Sequence, residues 1–258
     1  MKFAPSGSLR DNPTHTVVTS QDARFVLHKD ELHVWHTELS SPDDACRLQS
    51  LLSVDEVERA NRFRFPEHRR RFAIARGCLR QLLGAYLSVT PQQIRFSYSA
   101  QGKPRLSSEF SQELSFNVSH SDDLAVLSFT NHRNIGVDVE VFRYDIDTEG
   151  IPRRFFSEFE QRALAGLQGQ EKILGFFNCW TRKEAYIKAV GLGLSLPLRD
   201  FDVSLLPGQP ARILATRPDP KLASQWSVHA LHLNEHCAAA VVVEGAIAAL
   251  KVRKFAPL

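Results

Sequence analysis

The chain has 258 residues, enough for one large domain or two small ones, each with its own hydrophobic core. Hydrophobic residues make up 43% and charged residues 24%, a balance typical of globular proteins and unlike that of disordered chains. The net charge of +3 is a mild basic bias, compatible with a polyanionic ligand.

The cysteines and the apolar runs exclude several further classes. The four cysteines lie far apart with no C-x-x-C pair, which argues against a zinc site or a disulfide framework. The first residues lack the apolar core of a signal peptide. The longest apolar run, residues 237–250, is interrupted by Glu244 and is too short to span a bilayer. We therefore expect a cytoplasmic protein with no membrane partner.

The first half of the chain alternates helical and strand patterns. Residues 1–22 are polar and aperiodic and predict a loosely held tail. Ser41 and Pro42 open a helix, and a second helical region begins at Ser53. An arginine-rich stretch then runs into a longer amphipathic helix that extends past Leu83. Strands are predicted next, at residues 94–98, 114–120 and 124–130.

The second half follows a similar plan. A strand at 135–141 precedes one helix at 151–167 and a long helix at 171–190, which Gly191 and Gly193 end. Alternating segments follow at 201–205, 226–233 and 237–243. Each half thus has a long helix, a turn and a strand pair, so we predict an α+β fold with an internal duplication. The predicted halves are residues 23–134 and 135–258, with the ligand in the cleft between them.

Glu184 is the most unusual residue of the long second helix. It falls in the middle of an apolar stripe, where a leucine would be expected. A carboxylate that faces the interior needs a cation or a metal beside it. The alternative is an ordinary exposed pair between Glu184 and Lys188, one turn apart. That alternative loses weight once a second acidic element is found.

The second acidic element is the IGVDVE segment at residues 135–140. On a strand, Asp138 and Glu140 share one face and lie about 6.6 Å apart. A solvated edge strand would explain them, but isoleucine and valine fill the other face completely, which favours a strand anchored in the core. With Glu184 they form an all-oxygen set of three carboxylates, the kind of set that suits Mg2+ together with water and substrate phosphates.

Six arginines lie within fifteen residues and form the main basic cluster: Arg62, Arg64, Arg69, Arg70, Arg71 and Arg76. They are compatible with a solvated basic face. They are also compatible with a nucleic-acid surface, because phenylalanines interleave with them. A third reading is a small ligand with several phosphates, held by guanidinium groups.

Two short motifs offer further phosphate-binding groups. The turn at residues 102–104, GKP, presents Lys103, although a tripeptide is weak support. Ser119 and His120 offer a hydroxyl and an imidazole at a strand end, while a purely structural histidine is the alternative.

In combination these motifs resemble those of the 4'-phosphopantetheinyl transferases of the surfactin-synthetase-activator type. The resemblance covers about residues 55–205 and rests on motifs in the family's order: GKP at 102–104, FNVSHS at 116–121, IGVDVE at 135–140, RFFS at 154–157 with Glu160, WTRKEAYIK at 180–188 and GLS at 193–195. GVDVE followed by WTRKEAYIKA is highly specific, and no catalytic element is missing.

The resemblance implies a fold and an activity. The fold would be a pseudo-twofold monomer of two similar α/β halves, with coenzyme A bound in the cleft. The enzyme would transfer the phosphopantetheine arm of coenzyme A to a serine of an acyl, peptidyl or aryl carrier protein and release adenosine 3',5'-bisphosphate. Mg2+ would be the metal, with Mn2+ as a substitute. No nucleic-acid partner is implied.

The resemblance also implies roles for individual residues. Asp138, Glu140 and Glu184 would hold Mg2+, with Glu184 as the base toward the serine, directly or through water. Lys188 would contact the phosphate and stabilise the leaving group. The residues expected to bind coenzyme A are Arg64, Arg71, Gly102, Lys103, Pro104, Asn117, Ser119, His120, Asp138 and Lys188.

Two alternatives to this activity stay open. The first is a non-catalytic module that binds phosphate or nucleic acid through residues 62–76. It explains the basic cluster but gives no reason for the three carboxylates. The second is an enzyme that uses coenzyme A differently, such as an acyltransferase, which would not need a metal.

Overall fold

The computed structural model describes residues 17–19, 25–100, 102–110 and 113–257. Most of the predicted tail lies outside these ranges, and residues 17–19 of it form a short strand. The elements of the first half are β1 (Val17–Thr19), β2 (Glu31–Glu38), α1 (Pro42–Gln49), α2 (Val54–Asn61), α3 (Pro66–Leu87), β3 (Phe96–Tyr98), β4 (Pro104–Leu106), β5 (Leu114–Ser121) and β6 (Leu124–Asn131).

The second half runs through a corresponding set of elements. They are β7 (Ile135–Val141), α4 (Gly150–Phe155), α5 (Glu158–Ala165), α6 (Gly169–Val190), β8 (Phe201–Val203), β9 (Ile213–Thr216), β10 (Trp226–Ala230), β11 (Cys237–Glu244) and β12 (Ala249–Ala256). No helix of the described chain is long and apolar enough to cross a membrane.

Two main sheets carry the fold. The first has the strand order β1-β12-β2-β6-β5 and the second has the order β10-β11-β7. Helix α3 packs on the first sheet and α6 packs on the second, each over its own hydrophobic core. A third core lies between the sheets, where Leu32 and Val126 meet Val137 and Val241. Strand β12 belongs to the predicted second half by sequence but pairs with β1 and β2 in the first sheet. The boundary between the halves stays a prediction.

The two halves repeat one another in detail, which confirms the predicted α+β fold of two similar halves. Helices α3 and α6 each have 22 residues. Each follows a short helix whose first turn holds a capping box, Ser53 with Glu56 and Ser157 with Glu160.

The glutamate of each capping box also pairs with a buried cation of the long helix. Glu56 Oε2 lies 2.7 Å from Arg80 Nε, and Glu160 Oε1 lies 2.9 Å from Lys183 Nζ. Both cations also donate to backbone carbonyls in the turn that follows their helix, at Pro91 and Ile94 in the first half and at Leu198 and Phe201 in the second.

Two expectations about secondary structure were wrong. The single helix expected at 151–167 is two helices, because the Ser157 hydroxyl accepts from Glu160 N and starts a new helix there. Strand β12 was not expected, since residues 249–256 do not alternate cleanly between apolar and polar.

Candidate active site

The two sheets meet along a seam between β5 and β7, where side chains of β5 reach across. Asn117 Oδ1 accepts a hydrogen bond from Val137 N at 2.9 Å, and Ser119 Oγ donates to Asp138 Oδ1 at 2.9 Å. Alternate residues of a strand point to one face, so this row of polar side chains follows from the FNVSHS pattern.

Ser121 continues this row. Its hydroxyl donates to Glu140 Oε2 at 2.9 Å and accepts from Val141 N at 3.1 Å. It therefore orients one of the three carboxylates, a contact that the sequence reasoning did not assign. The contact could have been predicted from the position of Ser121, two residues after Ser119 and therefore on the same face of the strand.

Asp138 lies at the centre of the seam and is only 4% exposed. Its Oδ1 accepts from Ser119 and from Lys188 Nζ, which lies 2.6 Å away. Its Oδ2 is buried and has no hydrogen-bond partner. Burial raises the pKa of Asp138, and the Lys188 ammonium opposes that rise. An unpartnered buried carboxylate oxygen is costly and indicates a missing ligand.

Helix α6 approaches β7 unusually closely at Gly136. A Cβ atom added there would lie 2.1 Å from Ala185 O and 2.4 Å from Ala189 N. Only glycine permits this contact. The close approach brings Lys188 of the helix next to Asp138 of the strand.

Glu140 and Glu184 are half-buried, and the charge of Asp138 acts on both carboxylates. Burial is the main reason that the pKa of each is raised, and the Asp138 charge raises both further. The three carboxylates therefore lie near enough to one another to interact electrostatically, and their shared role as metal ligands stays a prediction.

The carboxylates fit Mg2+ as a partial site. Among the described residues, no three side chains of histidine, cysteine, aspartate or glutamate already converge as a metal cage. Mg2+ usually takes one or two carboxylates and completes its shell with water and phosphate oxygens. The free buried Oδ2 of Asp138 is compatible with such a partial site.

Lys103 bridges two elements. Its Nζ donates to Ile135 O at 2.9 Å and to Lys188 O at 2.6 Å, which ties the start of β7 to the end of α6. Burial, with smaller effects of Arg105 and Lys188, lowers its pKa to about 8. Its neighbours are the exposed turn residue Gly102, at φ +78°, and Pro104, which begins β4; contact of all three with coenzyme A stays a prediction.

Cationic groups gather at the end of β5 around His120. His120 is exposed, but partial loss of solvent around its ring lowers its pKa, and the nearby charges of Lys188, Arg71 and His68 lower it further. Arg71 Nε lies 2.9 Å from Asp123 Oδ1, which raises the pKa of Arg71. Asp122 and Asp123 offset part of the Arg71 charge, so an anionic ligand would compete with them for the guanidinium.

The rest of the arginine cluster does not form one free basic face. Arg70 pairs with Asp123 at 3.2 Å, and Arg76 is 8% exposed, with Glu56 3.6 Å away. Arg64 is exposed and stacks on the Phe65 ring, 5.4 Å from its centroid. The structure does not bring Arg64 into contact with the carboxylates, so its role as a ligand of coenzyme A stays a prediction.

Comparison with known proteins follows the same division into halves. The model described as "4'-phosphopantetheinyl transferase, N-terminal" matches residues 35–132, and that of the "4'-phosphopantetheinyl transferase superfamily" matches residues 134–241. The 4'-phosphopantetheinyl transferase HetI of Nostoc sp. is 42% identical over 223 residues, which cover 86% of this chain and 91% of HetI. The chain belongs to the 4'-phosphopantetheinyl transferase family.

Other members of the family are more distant. The transferase Sfp of Bacillus subtilis is 32% identical over 165 residues, covering 64% of this 4'-phosphopantetheinyl transferase and 71% of Sfp. A further match is the crystal structure of a holo-(acyl-carrier-protein) synthase from Bacillus anthracis in complex with CoA (3',5'-ADP). The matched region covers 44% of this chain and 96% of the synthase chain. It is 26% identical, and its TM-score of 0.33 is too low to bear on the fold. The resemblance drawn from the motifs is confirmed by the sequence matches.

Proposed function

We propose that this chain transfers 4'-phosphopantetheine from coenzyme A to a serine hydroxyl of an apo acyl, peptidyl or aryl carrier protein, with Mg2+, and acts as a monomer. The serine oxygen bonds to the phosphorus that bears the pantetheine arm. The bond from that phosphorus to the bridging pyrophosphate oxygen breaks, and adenosine 3',5'-bisphosphate leaves. The observation that carries the proposal is the unpartnered buried oxygen of Asp138, beside Glu140, Glu184 and Lys188.

Glu184 is the proposed base for the serine proton. A serine hydroxyl is a poor nucleophile at neutral pH, so a nearby group must accept its proton as the new bond forms. In the metal-free protein, burial and the Asp138 charge raise the pKa of Glu184, and a bound Mg2+ ion would oppose that rise. The proton passes to Glu184 directly or through one water molecule.

Lys188 would contact the pyrophosphate directly, and the carboxylates would act on it through the metal that they hold. Asp138, Glu140 and Glu184 would bind Mg2+, which supplies charge neutralisation when it is bound. The Lys188 ammonium now lies 2.6 Å from Asp138 Oδ1. If Lys188 turns to a substrate phosphate, it stabilises the leaving group and leaves Asp138 Oδ1 with the Ser119 hydroxyl as its remaining partner.

The cationic groups at the end of β5 would bind the 3'-phosphate. Arg71 offers a guanidinium group, which now pairs with Asp123, and its charge acts on the nearby His120. Lys103 would act by fixing the ends of β7 and α6 around the ligand.

A direct assay tests the proposal. Incubation of the chain with coenzyme A, Mg2+ and an apo carrier protein should add about 340 Da, one phosphopantetheine arm, to the carrier serine. Chelation of the metal should stop the reaction. Addition of an acyl group in place of the 340 Da arm, from an acyl-coenzyme A and unaffected by chelation, would favour the acyltransferase alternative. An unmodified carrier, together with tight binding of single-stranded nucleic acid, would favour the binding module at residues 62–76.

A further inference from the structure

A second concave site opens on the C-terminal half. It is a groove of about 710 Å3 between α6, the loop at residues 207–211, strand β10 and the start of β11. None of the residues assigned above to catalysis or to coenzyme A lines it. Its volume lies in the range of small-molecule sites.

Arg182 gives this groove a buried positive charge. The residue is 3% exposed, and its Nη1 donates to Ser204 O at 2.6 Å and to Ser204 Oγ at 3.1 Å. Within the described ranges no carboxylate forms an ion pair with it. The other deeply buried cations, Arg80 and Lys183, each have a glutamate beside them.

The charge of Arg182 persists at neutral pH. An arginine guanidinium holds its proton at all ordinary pH values, so Arg182 is a permanent cation in this groove. A buried guanidinium without a counter-ion is unfavourable, because two neutral oxygen atoms replace only part of its hydration. An anion bound in the groove would supply the missing charge.

The other walls of the groove limit what kind of anion fits. Phe142, Leu174 and Val228 form apolar surface along its length. Burial lowers the pKa of His229, and a second histidine, His232, also lines the groove. Glu235 lines the exposed end and disfavours a dianion such as a phosphate monoester. Among the described lining residues Arg182 is the only arginine or lysine, and the rest are mainly apolar, with the amides of Asn178, Gln209 and Asn234 between them. One permanent cation beside apolar surface favours a single negative charge on an apolar body.

We propose that this groove binds a small carboxylate with an apolar chain or ring. The carboxylate lies on the Arg182 guanidinium, and the apolar part packs along Leu174 and Val228. Helix α6 carries both Arg182 and Glu184, so the same helix forms a wall of the groove and of the catalytic cleft.

Sodium octanoate, titrated into the full chain by calorimetry and ligand-observed NMR, tests the proposal. We expect saturable binding, with 1-octanol at least about tenfold weaker because it lacks the charge. Excess coenzyme A should not displace octanoate. Absence of saturable binding below about 10 mM octanoate, equal affinity for octanol, or displacement by coenzyme A would each overturn the proposal.

Two variants assign the binding to this groove. Arg182→Met keeps an unbranched apolar stem but removes the charge, and it should weaken octanoate binding by about tenfold or more. Arg162→Met is the matched control, since Arg162 is exposed on α5 and pairs with Glu158, and it should bind normally. Leu174→Trp narrows the groove, leaves Arg182 in place and should also weaken binding. Normal octanoate binding in Leu174→Trp, or in a folded Arg182→Met variant, would mean that the groove is not the site.

Discussion

The strand–helix unit of β2 and α3 and that of β7 and α6 share one frame but use it differently. Arg80 and Lys183 occupy matching places, 103 residues apart. When the residue numbers of the first half are raised by the same 103, Trp35 corresponds to Asp138. In the first half the Trp35 indole donates to Tyr86 OH at 2.9 Å and packs against Phe25. The position is part of a core in one half and of a polar site in the other.

The remaining site residues differ in the same way. Gln81 corresponds to Glu184 and Ala85 to Lys188. The first half contributes to the cleft through its edge strand β5, whose Ser119 reaches Asp138. One copy of the frame thus carries the three carboxylates and Lys188, while the other supplies a stable wall, the hydroxyls that orient two of the carboxylates, and the cations Arg71 and Lys103.

Replacing the central acid should have the largest effect. Asp138→Asn keeps the shape of the side chain but removes its charge, and we expect carrier modification to fall by about 1,000-fold or more. Calorimetry in the presence of coenzyme A should show weakened Mg2+ binding. The matched change in the other half, Trp35→Phe, should lower stability and leave turnover nearly intact. Wild-type turnover of Asp138→Asn at limiting Mg2+ would contradict the metal assignment.

The two buried ion pairs should respond unequally. Lys183→Met leaves Glu160 fully buried without a cation, and we expect it to lower the free energy of unfolding by about 3–5 kcal/mol. In Arg80→Met, Glu56 still has Arg76 3.6 Å away, so the loss should be at least about 1 kcal/mol smaller. Urea denaturation measures both. Equal losses would show that Arg76 does not compensate.

Gly136 tests the close approach of strand and helix. Its counterpart in the first half is His33, whose ring is accommodated there beside Tyr86. Gly136→Ala should push α6 away from β7, cost about 2–3 kcal/mol of unfolding free energy and reduce turnover. His33→Ala is the matched change, and it should leave turnover unaffected. Unchanged stability of Gly136→Ala would mean that the backbones separate easily.

Arg71 tests the contribution of the first half to ligand binding. Arg71→Ala should weaken coenzyme A by about 1.5–3 kcal/mol in calorimetry, the range for a hydrogen bond to a charged group. Binding of 3'-dephospho-coenzyme A should barely change. The neighbouring exposed Arg69→Ala is the control. If Arg71→Ala lowers the affinity for both ligands equally, the role of Arg71 is structural. If Arg69→Ala has the larger effect on coenzyme A, the 3'-phosphate binds Arg69 instead.

The smallest effect is expected on the surface after β7, where the carrier protein should dock. Tyr144 is 68% exposed, and the Arg153 side chain is exposed with Glu149 4.0 Å away. Arg153→Glu should raise the KM for an acidic carrier several-fold, leave coenzyme A affinity unchanged and matter less at high salt. Normal carrier kinetics at low salt would instead assign Arg153 to its local pair with Glu149.

Much of the site could be predicted because its residues lie on regular elements. The periodicity of residues 171–190 placed Glu184 and Lys188 on one helix, and the alternation in IGVDVE placed Asp138 and Glu140 on one face. The partners of the charged groups could not be predicted, since they come from distant segments. Within WTRKEAYIK nothing local distinguishes Lys183, which is fully buried against Glu160, from Lys188, which lies in the cleft.

Strand β12 sets the order in which the molecule can be completed during synthesis. Ala249 pairs with Glu31, 218 residues earlier, so a growing chain exposes the edge of β2 until almost all of it has left the ribosome. An open edge with apolar neighbours invites pairing with other chains. A chain terminated before residue 249 would keep every catalytic group named above but would lose the strand that pairs with β2 in its larger sheet. Aggregation in cells would then mask an intact active site.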